Sequence, residues 1–114
     1  MDEKVVARQM ASANGTIVRM NATEALSRLW QDTGGDPAEL DRVEITGSEP
    51  VLPSSFCAGT AAAAAIAAAG LATAEFGRVR GGEPQHVSVD LRAAAASFRS
   101  ERYLCIDDRA PGPA

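Results

Sequence analysis

From Asn21 onward, apolar positions first recur at helical spacing. Ala22, Ala25, Leu26, Leu29 and Trp30 share one face, and Asn21 with Glu24 forms a capping-box pair ahead of them. Gly34-Gly35 ends that helix. A second start follows at once: Asp36 suits an N-cap, Pro37 the first helical position, and Glu39 the return toward the cap. The element runs only to about Arg42 and so predicts a single short turn. Val43-Glu44-Ile45-Thr46 then alternates apolar and polar before Gly47, the pattern of a short strand with one buried face. Pro50 and Pro53 impose an extended loop.

The longest element begins near Ser54 or Gly59, runs through Ala61–Ala65, Ile66, Ala67–Ala69, Leu71, Ala74, Phe76 and Val79, and stops at Gly81-Gly82. Alanine has the highest helix propensity, and its small side chain lets neighbours approach closely, so a helix buried on several sides is expected. Ala58–Ala74 carries no charge and repeats small residues at four-residue spacing, as a membrane span can. Alanine contributes little to insertion, however, and Pro53, Glu75 and Arg78 interrupt the apolar length, which favours a core helix. Gln85-His86-Val87-Ser88-Val89-Asp90 next alternates as a strand, with Val87 and Val89 on one side. Asp90 can cap a last helix from Leu91 to about Leu104, with Leu91, Ala94, Ala95 and Phe98 inward and Arg92, Arg99 and Arg102 largely elsewhere.

The ends are weaker. Val5-Val6 and Ile17-Val18 could form a hairpin through Asn14-Gly15, but residues 1–20 otherwise read as a poorly ordered lead that ends where Met20 could itself start translation. Residues 109–114 read as a disordered tail. The central stretch, 21–108, is an α/β pattern, mostly helical: long Ala-rich helix, Gly-Gly turn, short strand, helix. Two short strands do not make a self-sufficient sheet, so this stretch reads as part of a larger domain.

Composition narrows the possibilities. With 114 residues the chain suits one compact unit, and with 46% hydrophobic but only 4% aromatic residues its core should be thin. A net charge of −4 without a basic stripe argues against nucleic acid or an anionic membrane as partner. Cys57 and Cys105 show no CxxC spacing, and the charged first twenty residues do not resemble a secretory signal, which fits a reducing cytoplasm. His86 is the only histidine, so no metal site is assigned. Gly81-Gly82 lacks a following Lys-Ser or Lys-Thr, and no GxGxxG occurs, so neither nucleotide-binding loop is present.

Four segments in order resemble family III CoA-transferases, the CaiB/BaiF group: Val51-Leu52-Pro53-Ser54-Ser55-Phe56, the helix from Gly59 to Arg80, Gln85-His86-Val87-Ser88-Val89-Asp90-Leu91, and Ser97-Phe98-Arg99-Ser100-Glu101-Arg102-Tyr103-Leu104. The resemblance spans roughly Asn21 to Asp108, and the last segment is similar to the first, non-catalytic half of longer two-half members. It implies transfer of coenzyme A between carboxylic acids on a Rossmann-like α/β body, with coenzyme A or acyl-CoA as substrate and an interlocked dimer as assembly. In the family an Asp ahead of the Ala-rich helix attacks the acyl-CoA. Here that position falls on Ser55 if Gly59 is the helix-opening glycine, or on Thr60 if counted back from Gln85, and neither is an acid. The nearest carboxylates are Glu49 and Glu75. The catalytic role is therefore carried to no residue, and the chain alone is expected to be inactive. Its partners would be another copy or the remainder of the enzyme. The alternative is a standalone Ala-rich scaffold that self-associates or binds a partner helix through its small-residue face, without enzymatic activity.

Individual side chains carry sharper expectations. Ser54 and Ser55 could offer hydroxyls or amides to a CoA thioester or carboxylate at the long helix's start, or simply cap it. Cys57 could be a reactive thiol there, although for it and Cys105 a buried small thiol is the plainer reading. His86 lacks an evident acid or nucleophile partner. Arg99 and Arg102 could hold a phosphate or carboxylate, or form ion pairs about Glu101.

Overall fold

A computed structural model describes residues 20–52, 57–110 and 112. The chain is mixed α/β, in the order α1 (Ala22–Asp32), a 3-10 helix (Pro37–Arg42), β1 (Val43–Thr46), α2 (Ala58–Val79), β2 (Val87–Asp90), α3 (Leu91–Ser97) and a 3-10 turn (Ser100–Arg102). The proposed hairpin of the first twenty residues lies outside the described residues, as do Ser54 and Ser55.

α1 starts as its capping box requires. The Glu24 amide donates to Asn21 Oδ1 at 2.8 Å, and the Asn21 amide donates to Glu24 Oε2 at 3.3 Å. Ala22, Leu26 and Trp30, spaced by four, are its buried residues. Beyond Asp32 the chain reverses at Gly34, whose φ of 84° suits glycine. Gly35 runs directly under the Trp30 ring, where a Cβ would come within 2.3 Å of indole atoms. The indole Nε1 donates to the Asp36 carbonyl at 3.0 Å, tying the end of α1 to the next element. There Asp36 caps as expected, accepting from the Ala38 amide at 2.9 Å. Glu39 does not return to the cap; it turns toward Arg42, 4.0 Å away.

β1 and β2 pair in parallel, Val43 opposite Val87 and Ile45 opposite Val89. Parallel strands need a crossover, and α2 is that crossover, so the two short strands and the long helix form one β-α-β unit. One face of the sheet presents Val43, Ile45, Val87 and Val89 to the core; Glu44, Thr46, Ser88 and Asp90 on the other are exposed. α2 passes so near that a Cβ on Gly70 would meet Val87 Cγ1 at 2.9 Å.

α2 is buried nearly all round only at its start, through Gly59, Thr60, Ala62, Ala63 and Ala64; farther along, Ala67, Leu71 and Ala74 mark a single buried face. Ala61, Ala65, Ala69, Thr73 and Gly77 form an exposed stripe, so burial on several sides holds for the first turns alone. By length and composition α2 could cross a membrane, with 44% of its most apolar window buried inside the fold. Among the described residues eight of the thirteen buried apolar ones are alanine, and Leu26 and Leu71 are the largest wholly enclosed side chains. The core is thin, as the composition implied.

Asp90 caps α3 through Oδ2, which accepts from the Ala93 amide at 2.9 Å. The helix ends at Ser97, well short of Leu104, and Phe98, expected on the buried face, is 59% exposed. Ser97 Oγ donates to the Ala94 carbonyl at 2.7 Å, and the residues that follow, Arg99 to Arg102, supply no apolar position to hold another turn against the core. Cys105 consequently lies on an exposed segment and is not the buried thiol expected of it.

Candidate functional site

The candidate site is the start of α2. Its N-cap position belongs to Cys57, which makes no side-chain capping bond. The cap comes from a distant residue. Glu49 Oε1 accepts from the Thr60 amide at 2.7 Å and Oε2 from the Val51 amide at 3.2 Å. The Thr60 hydrogen bond, aided by the Val51 amide, outweighs burial and holds the Glu49 carboxyl below the usual glutamate range. Gly59 makes the approach possible, since a Cβ there would fall 2.9 Å from Glu49 Oε1.

A small cavity of about 180 Å³ opens beside this contact, lined by residues that include Gly47, Glu49, Cys57, Thr60 and Leu91. Thr60, one of the two alternatives for the family's nucleophile position, is 7% exposed, with its amide on Glu49. Cys57 is half-buried as a thiol. The arrangement can neutralise a carboxylate at a helix terminus; in this structure Glu49 supplies that carboxylate. Pro50 gave the only local hint, marking a loop there, because the capping contact joins residues eleven apart.

Replacing Glu49 with glutamine should remove the charged acceptor but keep the shape. We expect a loss of about 1 kcal/mol at neutral pH, read from the urea midpoint, and a loss that shrinks as acid protonates the wild-type carboxyl below the usual glutamate range.

A second cluster joins the 3-10 helix to α2. Glu75 bonds both Arg78 and Arg42, the latter at 3.2 Å, with Glu39 beside them. The guanidinium of Arg78, then that of Arg42, lowers the Glu75 carboxyl to about 2, whereas burial and the neighbouring Glu75 charge raise Glu39. Arg42 Nη1 is buried and, among the described residues, lacks a hydrogen-bond partner. The signs set the acid response. Glu75 and Glu49, both depressed, contribute stability that is present above the ordinary glutamate value near 4.5 and lost as pH falls below it. Glu39, shifted upward, is relieved earlier, as pH falls through its raised value toward 4.5, so it does not offset the loss that follows below 4.5. The urea midpoint should therefore drop between pH 5 and pH 3, and Glu75→Gln should flatten that drop.

A broad cleft of about 560 Å³ adjoins this cluster, with Trp30, Ala72, Phe76 and Val79 as its apolar surface and Asp36, Glu39 and Glu75 at its rim. His86 is exposed just before β2, which begins at Val87 and not at Gln85 as expected, and Arg99 sits 3.9 Å from Glu101 as an ion pair. Among the described residues no three His, Cys, Asp or Glu side chains meet in a metal-binding group. No protein-family model, curated protein or solved structure matches the chain.

Proposed function

We propose that this chain is a portion of a family III CoA-transferase body that supplies packing and subunit-interface structure rather than the reacting carboxylate. The observation that carries the reading is the long Ala-rich helix α2, which starts at Ala58, followed by β2 and α3 in the order of the resembling segments, with β2 lying parallel to β1. The state of Glu49 supports the inactive part of the proposal. Both its oxygens face backbone amides of its own chain, and a carboxylate held below its ordinary pKa is a weaker nucleophile toward a thioester. Transfer of coenzyme A between carboxylic acids would then need a carboxylate from another segment, in a second half of the enzyme or in a partner. A cytoplasmic location belongs to the same reading.

The test is to isolate the protein from its source cells with an antibody against residues 21–108, then measure its mass and its acyl exchange between an acyl-CoA and a free carboxylate. The expected species exceeds 11.8 kDa, or carries a partner, and exchanges acyl groups. A lone 11.8 kDa product without exchange overturns the transferase reading, and exchange by the purified chain alone overturns the inactive part.

The alternative, a self-associating Ala-rich scaffold without enzymatic activity, rests on the exposed stripe of Ala61, Ala65, Ala69, Thr73 and Gly77. Small residues let two helices approach closely. Ala65→Glu should abolish association through that stripe, measured by sedimentation.

A further inference from the structure

We propose that the open edge of β1 receives the chain's own residues 16–19 as a third, parallel strand, on the side of β1 away from β2. The inference holds whatever reaction the chain takes part in. It starts from a regularity of the fold. α2 and α3 each begin at the C-terminal end of the strand that precedes them. α1 begins at that same end of the sheet: Met20, Asn21 and Ala22 line the small cavity together with Gly47, just past β1, Thr60 in the first turn of α2, and Leu91, the first residue of α3. Among the described residues no strand leads into α1, and residues 16–19 immediately precede the first of them, Met20. A strand laid against the sheet and ending at Met20 runs in the direction of β1.

Handedness selects the edge. α1 packs against α2, and Ala22 and Leu26 of the one join Ala62, Ala63 and Ala67 of the other in a core cluster on which Val43, Ile45 and Val87 rest, so both helices cover the same face of the sheet. Crossovers between parallel strands are almost always right-handed, and two such crossovers on one face step in the same direction. The step through α2 runs from β1 to β2; a strand joined to β1 through α1 therefore lies beyond β1. The place beyond β2 would need a left-handed crossover. The residue types agree. Thr16, Ile17 and Val18 are β-branched, and an edge strand offers unpaired main-chain groups. With Met20 beside Gly47, Val18 falls next to Ile45 on the inward face, while Ile17 and Arg19 fall on the outward one. Ile45 is only half-buried although its β2 partner Val89 is 7% exposed, and Leu29 of α1 is 40% exposed, so apolar surface is there to be covered. On the outward face Arg19 would stand next to Thr46, within reach of Glu44 and Asp90, neither of which has an ion-pair partner among the described residues.

Nuclear magnetic resonance of the full wild-type chain tests the placement without any variant. Main-chain Overhauser contacts should join residues 16–19 to residues 43–46 in the parallel pattern, and the β1 amides that do not bond β2 should exchange with solvent at least about tenfold more slowly than in an unstructured chain. Contacts from residues 16–19 to β2 instead, contacts to Val5 and Val6 of a hairpin alone, or no contacts with the sheet overturn the proposal. A pair of variants reads the facing of the strand. Val18→Lys, placing a charge against Ile45, should lower the urea midpoint, whereas Ile17→Lys, on the row of Glu44 and Asp90, should leave it unchanged or raise it. Equal midpoints for the two variants, or the reverse order, also overturn it.

Discussion

Leu26→Ala is expected to remove about 3 kcal/mol of stability, enough to take a large share of what a chain of this size holds in reserve. Leu26 is 2% exposed and sits where α1 meets Ala62, Ala63, Ala67 and Leu91 in the core cluster. Few neighbours could move in to fill the gap. Most of the buried apolar residues are alanines fixed to helical backbone, and a methyl group has no rotamer with which to follow a retreating partner. The cost should therefore lie toward the upper part of the range for such truncations. Urea unfolding followed by circular dichroism checks it: the midpoint should fall with the slope unchanged, whereas Leu26→Met should cost less than about 1.5 kcal/mol. An alanine variant within about 1 kcal/mol of wild type would contradict close packing between α1 and α2.

Gly59→Ala should be nearly as damaging, for the opposite reason. The new Cβ would stand 2.5 Å from Val51 Cγ2, 2.7 Å from Leu91 Cδ2 and 2.9 Å from Glu49 Oε1. Val51 and Leu91 could rotate away only by opening the core, and displacing Glu49 would strip the cap from the first turn of α2. Overpacking of this kind costs about 1–3 kcal/mol, to which loss of the cap adds roughly 1 kcal/mol. Gly77, in the same helix, is the control. A Cβ there meets nothing within 4 Å, so Gly77→Ala should raise stability by about 0.5–1 kcal/mol through helix propensity alone. Opposite signs from one chemical change in one helix would separate close approach from propensity.

What could be read from the chain before folding was whatever is settled within a few residues. Asn21 with Glu24, Asp36 with Ala38, and Asp90 with Ala93 are contacts across two or three positions, and each element start they imply is present. Gly34-Gly35 likewise announced the end of α1. The failures share a different cause. Glu49 reaches Thr60 across eleven positions and Arg42 reaches Glu75 across thirty-three, so neither contact follows from spacing. Phe98 continued the apolar period of α3, but periodicity states which face would be buried and not whether a partner is there to bury it. The parallel pairing of β1 with β2 was equally hidden, because four-residue strands carry no mark of their partner. Ser54 and Ser55 fall outside the described residues, and the carboxylate found at the start of α2 belongs to Glu49.

The outward row of the sheet limits how this unit could be built into something larger. Glu44 and Asp90 stand on that face with Thr46 and Ser88, and the Thr46 hydroxyl donates to Asp90 Oδ1 at 3.4 Å. A second layer of helices laid there, as in a three-layer α/β body, would strip water from two carboxylates and would have to bring cations or donors to meet them. Growth beside β1 or β2 has no such demand, since an added strand needs only the main-chain groups that each edge already offers. Enlargement sideways is therefore the less costly route, and any neighbour that covers the flat of the sheet should carry arginine or lysine opposite Glu44 and Asp90.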